Sequence, residues 1–372
     1  MVIKSMSLQN YRNYKTLSLD FDPNTNIFYG DNAQGKTNIL EAVYVSGTTK
    51  SHRSSRDREL ICFSEEEAHI RTLLEKQGIE HKIDMHLRKN RTKGIAIDGI
   101  PIKRASELFG IIHFVFFSPE DLSIIKNGPS ERRRFLDMEL CQLDKIYLHH
   151  LSNYNKTVLQ RNRLLKEISF RPDYRDVLEV LDTQLVKYGT QLITGRRRFT
   201  KDLNEIIRRI HGQLTGGMEE MVLEYEANTE EHSFADQLAQ SMERDQRQKT
   251  TTTGPHRDDL SFVVNGIDIR RFGSQGQQRT AALSLKLSEI ELVKRVIHDT
   301  PVLLLDDVLS ELDSSRQNYL LNSIQNVQTM ITCTGLDELI DHRFSINKVY
   351  RVTDGKVTVE NEGVKQHRTL QR

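Results

Sequence analysis

The stretch NIFYGDNAQGKTNILEAVYV, residues 26–45, carries the most specific pattern in this sequence. It contains the pattern G-x-x-x-x-G-K-[ST], in which Gly30 and Gly35 are followed by Lys36 and Thr37. An apolar segment precedes the pattern and an amphipathic helical run follows it, as in a strand, a loop and a helix. Backbone N–H groups of such a loop surround phosphates, while the lysine contacts their oxygens and the hydroxyl contacts Mg²⁺. The stretch therefore predicts an α/β fold with a nucleotide phosphate site.

A second motif, PVLLLDDVLSELD at 301–313, supplies the acidic partner that a metal-bound triphosphate needs. Its aliphatic run is typical of a buried parallel strand, and Asp306 and Asp307 follow at the carboxyl end, where open α/β sheets bind ligands. We predict that Asp306 and Thr37 hold Mg²⁺. We predict that Asp307 orients the attacking water and is catalytic together with Lys36. The alternative is a buried strand that ends in a polar turn. The predicted ATP ligands in the first motif are Gly30, Asp31, Asn32, Ala33, Gln34, Gly35, Lys36, Thr37 and Asn38.

Length and composition limit the classes of function. A chain of 372 residues is long enough for two domains, each with its own core. The formal net charge is only +1, so a nucleic-acid surface would have to be a local patch. Cys62, Cys141 and Cys333 match no metal spacing or disulfide framework, which suggests a reducing compartment. The N-terminus lacks the apolar core of a signal peptide, and no apolar run approaches the roughly 20 residues of a membrane span. We therefore expect a cytoplasmic protein without a membrane partner.

The order of patterns predicts one nucleotide-binding head, split in sequence by a mainly helical insert. Residues 1–112 are rich in strand patterns, with a hairpin turn expected at Asp98-Gly99. Residues 113–251 change to long helical patterns. Residues 252–372 complete the head, with a second turn expected at Asn265-Gly266.

We expect the helical insert to be a compact domain rather than a long coiled coil, which would need unbroken heptads. The expected interruptions are Pro129, Pro172, Gly195, Gly212 and Gly216-Gly217.

The stretch FGSQGQQRTAALSLKL, residues 272–287, opens an apolar helix after residues that are mostly Gly, Ser or Gln. N–H groups at such a helix start, beside the positive end of the helix dipole, are suited to an anion. The alternative is an ordinary helix capped by serine after a loop.

This helix start, placed shortly before the 301–313 motif, resembles the signature motif of ABC-type ATPases. The resemblance implies that the signature caps the γ-phosphate of ATP bound to a second subunit, in a dimer that closes on two ATP molecules and opens after hydrolysis. It also implies an ABC-type ATPase head with a mixed sheet and helices, in which a D-loop runs along the same interface. The residues concerned are Ser274, Gln275, Gly276 and Gln277 in the signature and Ser310 and Asp313 in the D-loop.

Two positions depart from the ABC pattern. Asp307 stands where many members have glutamate, and its carboxylate is one methylene shorter. The segment TMITCTG offers Thr332, Thr334 and Gly335 where a switch histidine is expected. Both departures suit slow hydrolysis that acts as a switch.

Several stretches, spread over nearly the whole chain, together resemble the RecF family of bacterial recombination and repair proteins. The resemblance implies an ATP-dependent protein of DNA repair and replication that binds double-stranded DNA near single-strand gaps and, with RecO and RecR, helps RecA to load. Arg12 matches a position that approaches the nucleotide in related heads; the alternative is a solvated arginine at a strand end. The stretches are LQNYRNY at 8–14, KSHRSSRDREL at 50–60, FSPEDLSIIKNGPSERRRFLD at 117–137, TGPHRDDL at 253–260, the signature at 273–287 and LLLDDVLSELD at 303–313.

Contact with DNA rests on basic clusters, which would bind duplex phosphates in a salt-sensitive and sequence-independent way. The alternative for each cluster is a solvated face paired with nearby acidic residues. A nucleotide-locked structural or interaction protein of the ABC type, or the ATPase subunit of another complex, also remains open. The candidate DNA contacts are Arg88, Lys89, Arg91, Lys93, Arg132, Arg133, Arg134, Arg196, Arg197 and Arg198.

Overall fold

A computed structural model describes residues 1–53, 56–167, 174–336 and 346–360. The described residues form two compact units, the first drawn from 1–119 and 289–372 and the second from 120–288. The strands, in chain order, are β1 (Val2–Tyr11), β2 (Tyr14–Asp20), β3 (Thr25–Tyr29), β4 (Glu67–Lys76), β5 (Ile79–Arg88), β6 (Gly94–Ile97), β7 (Ile100–Pro101), β8 (Phe114–Phe117), β9 (Met221–Glu226), β10 (Asp259–Val264), β11 (Ile267–Asp268), β12 (Val302–Asp306), β13 (Thr329–Cys333), β14 (Lys348–Thr353) and β15 (Lys356–Val359).

Besides short 3₁₀ turns, the described residues form helices, four of which follow one another between β8 and β9. The helices are α1 (Lys36–Thr48), α2 (Leu122–Lys126), α3 (Pro129–Leu143), α4 (Lys145–Glu167), α5 (Tyr174–Leu214), α6 (Phe234–Gln240), α7 (Met242–Gln248), α8 (Ile269–Phe272), α9 (Gln275–Ile297) and α10 (Ser314–Ser323).

A mixed sheet with the order β15-β14-β3-β13-β12-β8 forms the centre of the first unit. Its strands from β14 to β8 are parallel, and β15 is an antiparallel edge strand. Every residue of β8, β12 and β13 is buried, which explains why these strands read as continuous apolar runs rather than alternating ones. Strand β13 lies between β3, which leads into the phosphate loop, and β12, which ends at Asp306.

An antiparallel sheet with the order β2-β1-β4-β5-β6-β7 accompanies it in the first unit. Helix α1 contacts both sheets and is buried nearly all round, so its apolar residues face strands on both sides. Ile39 and Val43 share one core with Met6 and Ile70 of the antiparallel sheet and Leu304 of the mixed sheet. The start of α1, and with it Lys36, is therefore fixed by packing of the whole unit.

The second unit is mainly helical, as predicted for the insert. Helices α4 and α5 pack along each other, and α5, with 41 residues, is about 60 Å long. The same unit contains a small antiparallel sheet, β11-β10-β9, whose strand β9 contacts α5. Because β10 pairs with β9, residues 252–288 pack in this unit, whereas the sequence analysis assigned them to the head. The predicted domain boundary at 252 therefore differs from the division of the described residues, in which the second unit ends at Ser288.

Both predicted hairpin turns are present. Asp98 and Gly99 have φ values of 53° and 83°, and Asn265 and Gly266 have values of 50° and 79°. Two successive positive φ angles match the twist of tight β-hairpins, and the Asp-Gly and Asn-Gly pairs tolerate them.

The prediction that Gly195 and Gly212 interrupt the helices was wrong, because both lie inside α5. Glycine weakens a helix by roughly 1 kcal/mol relative to alanine. Packing explains Gly195: a Cβ atom there would lie 2.9 Å from the ring of Tyr147, so glycine allows α4 and α5 to approach. Pro129 begins α3, where its missing N–H costs no helical hydrogen bond, and Gly216-Gly217 follow the end of α5. Pro172 lies outside the described residues.

Among the helices in the described ranges, none is both long enough and apolar enough to span a membrane.

Candidate active site

The phosphate-binding pattern forms the turn between β3 and α1, and all predicted ATP ligands from 30 to 38 lie in it or in the first helical turn. Gly35 has a φ of 111°, and a Cβ atom there would lie 2.5 Å from Nδ2 of Asn13 and 2.7 Å from the hydroxyl of Tyr14. These two side chains donate to the loop carbonyls of Gln34 at 3.2 Å and Gly35 at 3.0 Å. Only glycine fits this position, and the β1–β2 turn holds the loop in shape.

The loop presents donors to the space that it encloses. Within the described residues, the backbone N–H groups of 32–37 donate to no protein acceptor. The ammonium group of Lys36 bends back over the loop, where it donates to the carbonyls of Gly30 and of Asp31, the latter at 2.9 Å. Phosphate oxygens are the acceptors that such a set of N–H groups and one ammonium group would bind. The loop therefore fits a triphosphate.

Asp306 lies beside the loop, as the sequence predicted. Its Oδ1 atom accepts a hydrogen bond from the Thr37 hydroxyl at 2.8 Å and another from the Thr332 hydroxyl at 2.7 Å. The carboxylate is buried at the end of β12. A carboxylate and a hydroxyl next to a phosphate site are hard oxygen ligands of the kind that Mg²⁺ prefers, so these residues fit that cation.

Asp307 has a left-handed backbone with a φ of 52°, which is uncommon for a residue other than glycine. Its N–H donates to the Thr332 hydroxyl at 2.9 Å and contacts the Thr332 carbonyl at 3.3 Å. Burial raises the pKa of the Asp307 carboxyl, Lys36 lowers it in part, and the charge of Asp306 raises it further. A carboxylate with a raised pKa is a better proton acceptor than an exposed aspartate, which suits a group that activates water.

Arg12 forms a bidentate ion pair with the buried Glu41 of α1. The Nε–Oε2 distance is 2.8 Å and the Nη2–Oε1 distance is 2.7 Å. Tyr11 and Ser51 also donate to Glu41, at 3.3 Å and 2.6 Å. Burial acts to raise the pKa of the Glu41 carboxyl, but hydrogen bonds from Arg12 and Ser51 outweigh it and hold the pKa below its usual value. The side chain of Arg12 is thus paired with Glu41 inside the head. Its contact with nucleotide stays a prediction.

The signature residues begin helix α9. Ser274 N–H donates to Oε1 of Gln277 at 3.0 Å, and Gln277 N–H donates to Oγ of Ser274 at 3.2 Å. This reciprocal pair is a capping box, so the alternative interpretation, a helix capped by serine, describes the local geometry. The Gln277 amide also donates to Glu219 at 2.8 Å. The role of Ser274, Gln275, Gly276 and Gln277 toward a second subunit stays a prediction.

Both D-loop residues precede α10. The Ser310 hydroxyl donates to the Asp307 carbonyl at 2.9 Å, which ties the D-loop to the catalytic candidate. Asp313 is the N-cap of α10 and accepts from the Arg316 N–H at 3.0 Å.

Two of the candidate DNA contacts need correction, because Arg132 and Arg196 are almost completely buried. Arg132 pairs with Asp259 at 2.6 Å. Arg196 pairs with Asp137 and Asp258, both at 2.8 Å. Their guanidinium groups cannot reach a DNA phosphate in this structure. Sequence clusters of arginine do not distinguish a surface patch from a buried ion-pair network.

The other candidates of the helical unit lie nearer the surface. Arg133 donates to the carbonyl of Asp258 at 2.6 Å, and Arg197 pairs with Glu230 and Glu231. Arg134 and Arg198 are exposed.

The remaining candidates belong to the β5–β6 hairpin. Next to it lie Arg56 and Arg58, which were not predicted as DNA contacts. Arg88, Lys89 and Arg91 line one open cavity of about 450 Å³ with Arg56, Asp57 and Arg58 of the segment after α1. Lys93 donates to Asp57 at 2.9 Å and so joins the hairpin to that segment. We call the residues Arg56, Arg58, Arg88, Lys89 and Arg91 the basic cup.

Four further residues of the site were not predicted from the sequence: Thr332, Glu41, Asn13 and Tyr14. A lone carboxylate in the apolar helix run NILEAVYV was the one sequence feature that pointed to Glu41.

Comparisons with known proteins decide the family. The model of the RecF/RecN/SMC N-terminal domain matches residues 2–358. A curated relative from Agathobacter rectalis, named DNA replication and repair protein RecF, is 63% identical over 362 residues, which cover 97% of this chain and 100% of the relative. The chain belongs to the RecF family. A RecF protein of the same name from Lachnoclostridium phytofermentans is 61% identical over 357 residues, covering 96% of this chain and 99% of the relative.

Solved structures agree with the RecF assignment. One, described as the recombination mediator protein RecF-ATP in the RecFOR pathway, has a TM-score of 0.90 and 36% identity, and the match covers 96% of this chain and 97% of the other. The Smc head domain of Pyrococcus furiosus, bound to a domain of ScpA, has a TM-score of 0.59 and 16% identity over the whole of both chains, which shows the fold alone. The predicted RecF family and the ABC-type ATPase head fold are confirmed, and the chain is an ATPase of this RecF/SMC type.

Proposed function

We propose that this RecF-family chain is an ATP-gated clamp for DNA in recombinational repair and replication. ATP closes a head-to-head dimer on duplex DNA near single-strand gaps, and slow hydrolysis resets it. The observation that carries the nucleotide half of the proposal is the Asp306 carboxylate, held at 2.8 Å by the hydroxyl of Thr37 beside the phosphate loop. The relatives named for DNA replication and repair support the DNA half.

The residues of the head divide the chemistry among them. Loop N–H groups and Lys36 bind and orient the phosphates, so that the γ-phosphate faces Asp307. Thr37 and Asp306 would hold Mg²⁺, which would supply positive charge to stabilise the phosphate oxygens during the reaction. Asp307 orients the attacking water and accepts its proton, and its short side chain keeps turnover low.

The dimer uses the signature of each head against the nucleotide of the other. The N-terminus of α9 directs backbone N–H groups and the positive end of the helix dipole outward, which favours an anionic γ-phosphate. Ser274 presents its hydroxyl at the same place. With RecO and RecR, the closed dimer helps RecA to load, in the cytoplasm; the solved relative described within the RecFOR pathway supports this partnership.

We propose the basic cup as the DNA contact of the head. Its four arginines and Lys89 come from two segments that are distant in sequence, and these five cationic side chains line one open cavity together with Asp57. Such a cup suits phosphates of a duplex backbone rather than base edges. The described part of the chain contains no tryptophan, in keeping with backbone contact rather than base stacking.

Fluorescence anisotropy of a labelled gapped duplex tests the proposal, with ATP, ADP or no nucleotide over a salt series. We expect ATP to tighten binding, and affinity to fall steeply with salt. Lys36→Ala removes the phosphate contact and should abolish the gain from ATP. Asp307→Asn keeps the phosphate contacts and should retain the gain while hydrolysis is lost. DNA binding that is absent, or equal in all three nucleotide states, would overturn the clamp.

A further inference from the structure

The mixed sheet places a third residue between the two halves of the nucleotide site. Thr332 lies on β13, in register with Asp306 of β12 on one side and with Phe28 of β3 on the other. Thr332 therefore lies near the carboxyl ends of both neighbouring strands, where the phosphate loop and the acidic pair begin.

One hydroxyl contacts both acidic residues. Thr332 Oγ1 donates to Oδ1 of Asp306 at 2.7 Å, and it accepts the N–H of Asp307 at 2.9 Å. A threonine hydroxyl has one proton to donate and lone pairs to accept, so both bonds form together. Thr332 is only 1% exposed, so water does not compete for these bonds.

The two bonds act on different properties of the site. The bond to Asp306 fixes the carboxylate that also accepts from Thr37, and so fixes the direction in which its oxygens face a cation. The Asp307 N–H, which also contacts the Thr332 carbonyl at 3.3 Å, donates to the hydroxyl at 2.9 Å and so holds a left-handed backbone, a strained conformation that persists where its surroundings determine it. Loss of the hydroxyl would therefore loosen both carboxylates at once.

We propose that Thr332 is a positioning residue that sets Asp306 for the cation and Asp307 for water through a single hydroxyl. This inference rests on the proposed function of the same site. It assigns a positioning role to β13, the strand whose segment TMITCTG has no switch histidine.

Four substitutions separate this role from simple packing. Thr332→Val keeps the shape and removes the hydroxyl, and Thr332→Ser keeps the hydroxyl and removes the methyl group. Thr329→Val is the matched control, because Thr329 is equally buried on the same strand but its hydroxyl bonds to the Val327 carbonyl. Thr332→Ala serves as a second deletion of the hydroxyl in case the valine variant does not fold.

The first measurement does not depend on hydrolysis. Binding of a fluorescent ATP analogue is titrated with Mg²⁺, and we expect Thr332→Val to raise the half-saturating Mg²⁺ concentration about tenfold, as for the loss of one hydrogen bond to a charged group. Affinity for the analogue without Mg²⁺ should stay within about twofold, because the loop N–H groups and Lys36 are untouched. Thr332→Ser and Thr329→Val should both resemble the parent.

The second measurement is the ATPase rate at saturating Mg²⁺. We expect kcat to fall about tenfold to a hundredfold in Thr332→Val and to recover in Thr332→Ser. The inference is overturned if Thr332→Val matches the parent in the Mg²⁺ titration, or if Thr329→Val shows the same loss. A parent chain that binds the analogue but does not hydrolyse ATP would contradict the proposed ATPase cycle, and the Mg²⁺ titration would still decide the role of Thr332.

Discussion

The guanidinium group of Arg12 and the carboxylate of Glu41 form two parallel contacts, of 2.8 Å and 2.7 Å, between the end of β1 and the helix that carries Lys36. Glu41 is completely buried. We expect Arg12→Ala to lower the free energy of unfolding by about 3 kcal/mol, because it leaves a buried charge without its partner. Thermal and urea denaturation measure the change.

Glu41→Gln in the Arg12→Ala background is the control, and it should restore part of the stability by removing the charge. The pH dependence has a defined sign. The folded pKa of Glu41 is below its usual value of 4.5, so the pair stabilises above that value and its contribution is lost as the pH falls through the folded pKa. The cost of Arg12→Ala should therefore shrink in acid. A cost that is independent of pH would contradict this account, and a loss of ATP affinity in Arg12→Ala but not in Glu41→Gln would instead support nucleotide contact.

Replacing the second glycine of the phosphate loop should abolish nucleotide binding. Gly35→Ala puts a methyl group against Asn13 and Tyr14 at a φ of 111°, which we expect to distort the loop and to cost about 1–3 kcal/mol of stability. Gly99→Ala is the matched control, because Gly99 also has a positive φ of 83° but no atom within 4 Å of an added Cβ. Calorimetric titration with ATP measures binding, and equal binding by both variants would show that the close contacts are not required.

The two roles of Ser274 can be separated by charge. Aspartate is as good an N-cap as serine, so Ser274→Asp should keep the capping box and the melting temperature. It would also place a negative charge where the proposed dimer brings the partner's γ-phosphate, and we expect it to remain monomeric in Mg-ATP. Ser274→Arg should likewise fail to dimerise. Sedimentation velocity distinguishes the species, and a Ser274→Asp dimer equal to that of the parent would exclude Ser274 from the interface.

Arginines of the basic cup and of the buried network should respond differently to mutation. Arg91→Ala, in the cup, should reduce the slope of log affinity for duplex DNA against log salt by about 1 and leave the melting temperature unchanged. Arg196→Met removes the partner of Asp137 and Asp258 and should destabilise the fold by about 3 kcal/mol with no change in slope. The assignment fails if Arg196→Met lowers the slope in a variant that is still folded.

The sequence predicted the parts of this site that depend on local pattern. The glycines, Lys36 and Thr37 fix one loop, and an aliphatic run followed by two aspartates fixes one strand end, so both could be found without a structure. Thr332 could not, because its contacts to Asp306 and Asp307 follow from β13 lying between β3 and β12, which is an order of strands and not a pattern. The burial of Arg132 and Arg196 could not be predicted either, because a run of arginines has the same composition whether helix packing turns a side chain inward or outward.

The order of strands also has a consequence for synthesis of the protein. In the mixed sheet, β3 pairs only with β13 and β14, which lie more than three hundred residues into the chain. The strand that leads into the phosphate loop therefore leaves the ribosome long before either neighbour exists, whereas β1, β2, β4 and β5 can pair with one another at once. Formation of the nucleotide pocket must wait for the last strands, so a chain truncated before β13 would carry the whole phosphate motif and yet have no sheet on which to hold it.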